Sequence, residues 1–201
     1  AHGRGAAVAT GLKRILPDKI IFTYQGDGDM AAIGTAETIH AANRGEKITT
    51  IFVNNGVYGM TGGQFSPLSG AGILATTAPY TNIDHGFDVV ELSKAAGATF
   101  VARTTTYHVQ QMTNIFCDAI IHDGFSVVEV LTQCPTYFGR KNKQGGAAEM
   151  MQRMKDMTTP VGSKAKQENP ELIERGIFIQ KDEPEYCSEY DKLIQRAVGG
   201  K

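Results

Sequence analysis

The sequence contains no tryptophan, only three cysteines and no surplus of charge of either sign. Its 20 lysine and arginine residues are balanced by 21 aspartates and glutamates. The basic residues are not gathered into a stripe with aromatics between them, so the electrostatic footprint of a nucleic-acid binder is lacking, and nucleic acid is not an expected partner. No apolar run approaches the ~18 residues needed to cross a bilayer, and Ala1-His2-Gly3-Arg4-Gly5 lacks the charged-then-apolar layout of a signal peptide. No membrane role is expected, and the chain reads as soluble and cytoplasmic. Cys117, Cys134 and Cys187 are odd in number and far apart, which argues against a disulfide framework and fits a reducing compartment. An initiator methionine is also lacking. The glycine-rich opening before Ala6-Ala7-Val8-Ala9-Thr10-Gly11 has the character of a cut from a longer polypeptide, so an upstream segment is expected.

What is present is enough apolar residue, 41% of 201, to bury one full core and carry an appendage. Residues 20–24 are a short apolar run ending in Gln25-Gly26-Asp27-Gly28-Asp29, and small and apolar residues recur at helical spacing over 30–42 until Asn43-Arg44-Gly45. Residues 48–53 form a second β-rich run, ending at Asn54-Asn55-Gly56 and followed by a long loop of Gly, Ser, Thr and Pro to about Asp84. Beyond it, residues 88–96 and 108–122 read as helices and 99–103 and 126–131 as strands. This alternation predicts an α/β fold with a doubly wound parallel sheet and ligands at the carboxyl ends of its strands. From Gly139 the pattern weakens. A basic stretch, Arg140-Lys141-Asn142-Lys143, leads to a methionine-rich helix near 149–157, then a polar linker and an acidic tail. Two parts are expected, an α/β domain over 1–138 and a C-terminal extension over 139–201.

Gly26-Asp27-Gly28-Asp29 has the form of a phosphate cradle, since glycine admits close backbone approach and a helix N-terminus favours an anion. Yet a bare diphosphate beside two carboxylates is repelled, each like-charge pair at about 4 Å costing on the order of 4 kcal/mol at an effective dielectric near 20. A divalent cation removes the conflict. Magnesium takes an octahedral shell of carboxylate, amide or carbonyl oxygens, water and ligand phosphate. Twenty-five residues separate Gly28 from Asn54, a spacing that suits one helix and one strand between neighbouring strand tips. A dinucleotide site would want an acid at the second tip for the ribose hydroxyls, and this sequence has amides there.

Gly-Asp-Gly followed two dozen residues later by Asn-Asn resembles the signature of thiamine-diphosphate enzymes. The resemblance implies Mg2+ on Asp27, the Asn55 side chain and the Val57 carbonyl, with Gly26, Gly28, Asp29 and nearby amides around the diphosphate, in a sheet of the thiamine-diphosphate-binding type. The following run, Asn55-Gly56-Val57-Tyr58-Gly59-Met60-Thr61-Gly62-Gly63-Gln64 with Ser66-Pro67 behind it, resembles the β subunits of 2-oxoacid:ferredoxin oxidoreductases. His2-Gly3-Arg4, the stretch Ala9-Thr10-Gly11 with Lys13, and Cys134-Pro135-Thr136 carry the likeness over most of the chain. It marks Tyr58, Gly59, Met60, Thr61, Gly62, Gly63 and Gln64 as lining the cofactor. His2 and Arg4 either face the cofactor or substrate or are incidental.

By composition alone, Cys134 at the end of an apolar strand reads as an inert core residue. In the family a Cys-Pro at this place completes a 4Fe-4S cluster whose other ligands lie upstream, and this chain departs from that pattern by lacking them. Cys117, on an apolar helix face, and Cys187, in the acidic tail, read as structural. His40, His85, His108 and His122 are scattered without ligand spacing. The methionines 150, 151, 154 and 157 recur at the spacing of core or interface packing. Arg140, Lys141 and Lys143 read as a solvated turn, or as an attraction for an acidic substrate, coenzyme A or ferredoxin.

The resemblance implies oxidative decarboxylation of a 2-oxoacid to an acyl-CoA and CO2, with electrons leaving through the 4Fe-4S cluster to ferredoxin. It also implies dependence on an α subunit that supplies the activating glutamate. Residues 132–140 resemble the 2-oxoglutarate enzymes more than the pyruvate ones, with branched-chain 2-oxoacids as runner-up. A non-redox thiamine-dependent decarboxylase or synthase would share the Gly-Asp-Gly and Asn-Asn residues but not Tyr58 to Gln64 or Cys134. A non-catalytic cofactor-binding subunit is the alternative from a different class.

Overall fold

The structure is a computed structural model and describes residues 1–199. Four parallel strands form its centre: β1 (Phe22–Gly26), β2 (Thr49–Asn54), β5 (Phe100–Thr105) and β6 (Ser126–Leu131), in the spatial order β1, β2, β6, β5. Residues in β5 and β6 are buried along their whole length and rich in Val and Thr, as strands covered on both faces require. Neighbouring residues of one strand serve opposite faces. Phe52, Val101 and Val127 pack under α1 (Gly5–Ile15), α2 (Thr35–Asn43) and α3 (Val89–Ala95), whereas Ile51, Ala102 and Val128 pack under α4 (Val109–Ile121). No described helix is long and apolar enough to cross a membrane.

The register pairs Gly26 with Val53 and Asn54 with Leu131, so the carboxyl ends of β1, β2 and β6 finish side by side. The Gly-Asp-Gly and Asn-Asn segments leave from two adjacent tips. After β2 the long loop begins with a short hairpin, β3 (Val57–Tyr58) and β4 (Gln64–Phe65), and is then held by its own polar groups. The Asn82 amide donates to the Ser69 carbonyl at 2.8 Å, and the Ser69 hydroxyl to the Gly56 carbonyl at 2.5 Å.

Two features differ from the sequence reading. The helix expected over 30–42 is broken: Asp29–Ile33 forms a π-helical turn, and α2 starts only at Thr35. Gly34 lies at the break. A Cβ there would stand 2.2 Å from the Asp29 carbonyl oxygen and 2.8 Å from that of Gly3. The glycine lets the chain's opening segment lie against the turn. Such wide turns inside helices recur at functional sites.

The second difference concerns the C-terminal extension. After a π-helical turn at Pro135–Gly139 and α5 (Ala147–Asp156), the segment read as polar linker and acidic tail contributes β7 (Thr158–Pro160), α6 (Lys164–Glu168), β8 (Ile173–Gln180) and α7 (Tyr186–Val198). β8 runs antiparallel beside β5, with an irregularity at Val101/Ala102, and β7 lies outside it. The sheet is therefore mostly parallel with an antiparallel addition at one edge, and residues beyond 139 share the main core through Phe178 and Ile179. In β8 all but one residue keep some exposure, so neither face reads as uniformly apolar in sequence. Met150 of the methionine-rich helix is buried against Gly139, in line with packing rather than display.

Gly34→Ala is expected to lower stability by about 1–3 kcal/mol, the usual range for overpacking a fitted interior. A urea-unfolding midpoint equal to that of the wild type would contradict this account of the helix break.

Candidate functional site

A cleft of about 720 Å³ opens at the carboxyl ends of β1 and β2. At the first tip, Asp27 is 6% exposed. Its Oδ1 accepts from the Gly28 amide at 2.9 Å, while its Oδ2 is buried and accepts no hydrogen bond. A buried carboxylate oxygen without a donor is costly. Burial pushes the Asp27 carboxyl above the usual carboxylate range, and the Ser66 hydroxyl and the Gly28 amide oppose this without cancelling it.

The second tip is a turn fixed by amides. Asn54 Oδ1 accepts from the Gly56 amide at 3.0 Å and Asn55 Oδ1 from the Val57 amide at 3.1 Å. Gly56 has φ +75°, which a side chain would strain. The Tyr58 ring then folds across the first tip, so close that a Cβ on Gly28 would stand 3.1 Å from it. Burial, and after it the Asp27 charge, raise the Tyr58 phenol above its ordinary value.

Asp29 is used differently from Asp27. Its Oδ1 accepts from the Gly3 amide at 2.6 Å and lies 2.7 Å from His2 Nδ1, and its Oδ2 accepts from Gln25 Nε2 at 2.5 Å. Burial alone would raise this carboxyl, but the Gly3 amide, Gln25 and His2 outweigh it and hold the group below the usual range. Asp29 thus ties the chain's opening residues to the rim of the cleft, a tie reinforced by the Arg4–Glu37 ion pair. Both of its side-chain oxygens are thereby engaged.

The description "Thiamine pyrophosphate enzyme, C-terminal TPP binding domain" fits residues 1–130, the family model matched there. The 2-oxoglutarate synthase subunit KorB of Methanothermobacter marburgensis is 43% identical over 98% of this chain and 70% of its own length. Its counterpart in Methanocaldococcus jannaschii is 42% identical over 97% of this chain and 73% of its own length. The chain belongs to the β subunits of the 2-oxoacid:ferredoxin oxidoreductases. A solved 2-oxoglutarate:ferredoxin oxidoreductase from Magnetococcus marinus, with 2-oxoglutarate, coenzyme A and succinyl-CoA bound, superposes on this β subunit with a TM-score of 0.84. The match is 26% identical in sequence and covers all of this chain and 69% of that one.

Within the β subunit the cleft brings together Gly26 to Asp29, His2 and Asn55, with Tyr58 to Thr61 as a further wall. Val57 does not present its side chain, which is fully buried, so any part it plays is through its carbonyl. Gly62 and Gln64 are absorbed into the hairpin: the Gly62 carbonyl accepts from the Thr76 hydroxyl, and Gln64 bonds back to Thr61. Cys134 does not line the cleft but lies behind it, its thiol free and 3.9 Å from where a Cβ on Gly59 would stand.

Sequence reasoning missed Gln25, 3% exposed, which orients Asp29, and the lining residues Tyr24 and Ile33. A buried amide immediately before Gly-Asp-Gly was the available signal for Gln25. Tyr24 carried none, because its exposure follows from the position of β1 at the sheet edge, and Ile33 carried none, because its exposure depends on the π-helical turn that it ends.

The raised Asp27 group has a definite consequence for pH. A group whose folded pKa is raised stabilises the fold below its unfolded pKa, and that contribution is lost as pH rises through the folded value. Stability of the cofactor-free chain from this group therefore falls as pH climbs upward from 3.8, the ordinary aspartate value. Asp27→Asn is expected to remove that decline, making the variant more stable than the wild type at neutral pH. Thermal unfolding of both proteins across pH measures the difference, and a variant less stable at pH 7 would refute the assignment.

Proposed function

We propose that the cleft holds thiamine diphosphate through Mg2+, and that the assembled enzyme converts 2-oxoglutarate and coenzyme A to an acyl-CoA and CO2 while reducing ferredoxin. The observation that carries this is the unpartnered, buried Oδ2 of Asp27, one strand away from the Asn55 turn. A divalent cation there removes the cost of the buried charge and neutralises the diphosphate. No group of three or more His, Cys, Asp or Glu side chains among the described residues could hold a metal by itself, which suits Mg2+ completing its shell with phosphate oxygens and water. Asp27, the Asn55 side chain and the Val57 carbonyl are the proposed ligands, and Gly28 and Asp29 line the part of the cleft proposed for the diphosphate.

Bound thiamine diphosphate supplies a nucleophilic carbon and an electron sink. The chain's own residues anchor and orient: Tyr58 covers Gly28, His2 is held at the rim by Asp29, and Tyr58 to Thr61 form one wall of the cleft. No lysine or arginine is among the described residues that line the cleft, as a site for the distal carboxylate of 2-oxoglutarate would call for. Met60, 99% exposed, and Tyr24, 72% exposed, leave the rim apolar and uncovered. These features support a site completed by an α subunit that brings the activating glutamate and the carboxylate-binding groups.

An iron-sulfur cluster does not fit this chain alone. Its free thiols are Cys134 behind the cleft, Cys117 exposed on α4 and Cys187 beside Arg14. We assign Cys134 as one cluster ligand, the others coming from polypeptide outside these residues.

In the α-containing complex, Asp27→Ala is expected to weaken Mg2+-dependent thiamine diphosphate binding by more than about 100-fold, beyond the 10–100-fold typical of residues that support a metal ligand. Calorimetric titration measures it, and undiminished binding would remove the metal assignment. Cys134→Ser is expected to abolish the visible absorption of the cluster, and an unaltered spectrum would exclude Cys134 as a ligand. Ferredoxin reduction compared across 2-oxoglutarate, pyruvate and branched-chain 2-oxoacids is expected to be fastest with 2-oxoglutarate.

A further inference from the structure

Two charged residues sit inside the most buried strands and take no part in the cleft. Glu129 lies in the middle of β6 and is 2% exposed, and Arg103 of β5, its register partner, is 9% exposed. Arg103 Nε donates to Glu129 Oε2 at 2.6 Å, and its Nη2 donates to Asp88 Oδ1 at 2.8 Å. Asp88 is the N-cap of α3 and also accepts from the Val90 and Glu91 amides. The other oxygen of Glu129 faces the site: Asn54 Nδ2 donates to Oε1 at 2.7 Å. Asn54 in turn holds the Gly56 amide with its Oδ1. An unbroken row of hydrogen bonds therefore runs from the cap of a helix, across β5 and β6, to the turn at the tip of β2.

We propose that Glu129 is a positioning residue for the metal-binding turn, its charge setting which way the Asn54 amide points. The inference rests on the reading of Asn55 and Val57 as Mg2+ ligands. The chemistry allows only one arrangement. Arg103 and the Asn54 amino group both donate, so the residue between them must accept on both oxygens, which a carboxylate does and an amide does not. A glutamine at 129 that turned its amino group to Arg103 would set donor against a buried cation. Turned to Asn54, it would force that side chain to flip and present its own amino group to the Gly56 N–H. Either way the Asn54–Gly56 bond or its support is lost, and with it the fixed turn that delivers Asn55 and the Val57 carbonyl beside Asp27.

The alternative is that Glu129 merely neutralises Arg103. The test measures the apparent Mg2+ dissociation constant in the α-containing complex, at saturating thiamine diphosphate, by calorimetry of the folded protein. Glu129→Gln is expected to raise that constant about tenfold, the lower end of what loss of a ligand's support costs. Asn54→Ala, which leaves the Arg103–Glu129 pair intact, is expected to do the same, and the double variant to be no worse than either single one. Asp88→Asn, which disturbs only the far end of the row, should lower the melting temperature with a change in the Mg2+ constant of less than about twofold, the scatter expected of distant independent sites. Additive losses in the double variant, or an unchanged Mg2+ constant in Asn54→Ala, would overturn the proposal. If Glu129→Gln does not fold, Glu129→Asp, which keeps the charge beside Arg103 but shortens the reach to Asn54, takes its place: a raised Mg2+ constant is expected, and an unchanged one overturns the proposal. Should Asp27→Ala retain normal Mg2+ dependence, the metal reading itself fails; should Asp27→Ala lose it while Asn54→Ala keeps it, only the positioning role fails.

Discussion

The alignment of two neighbouring strand tips governs this molecule. β1 and β2 are paired in parallel without an irregularity, so Gly26 and Val53 finish level, and the residues just past them, Asp27 and Asn55, are delivered to one cleft. Parallel pairing makes this arrangement possible, because both chains leave the sheet at the same end. A shift of one residue would turn Asp27 away from the cleft and put Phe52 on the wrong face of the sheet. The apolar layers that fix the register, Phe52 beneath α1 to α3 and Ile51 beneath α4, are thus also what sets the distance between the two polar tips.

Two carboxylates two residues apart illustrate how environment divides labour. Asp29 is surrounded by donors and serves as a tether for the opening residues, whereas Asp27 has the Gly28 amide and the nearby Ser66 hydroxyl, and its Oδ2 accepts no hydrogen bond. In sequence the two look equivalent. Only the direction each side chain takes, Asp29 back toward Gln25 and Gly3, separates the tether from the charge-seeking group.

Much of the central sheet was legible because its strands are short apolar runs bounded by polar turns, and residues 126–131 were read with the limits observed. The motif at the two tips was legible from its residue types and spacing, and the structure brings the two segments to one cleft. The break at Gly34 was hidden, since small residues continue the helical pattern through it and only the close approach of Gly3 reveals the need for glycine. β8 was hidden by its partial exposure on both faces. The role of Glu129 was obscured for a different reason: a lone acid within Ser-Val-Val-Glu-Val-Leu signals a buried charge, but which neighbours answer it depends on strand order, which places β6 between β2 and β5.

β1 forms one margin of the sheet, hydrogen-bonded on one side only, with Phe22 and Tyr24 about half or more exposed and no proline or lysine within its five residues. An open margin of this kind offers a row of free backbone groups to any extended peptide that comes near. Among the described residues, that margin is where an added strand would extend the sheet by main-chain hydrogen bonds alone, whatever its side chains.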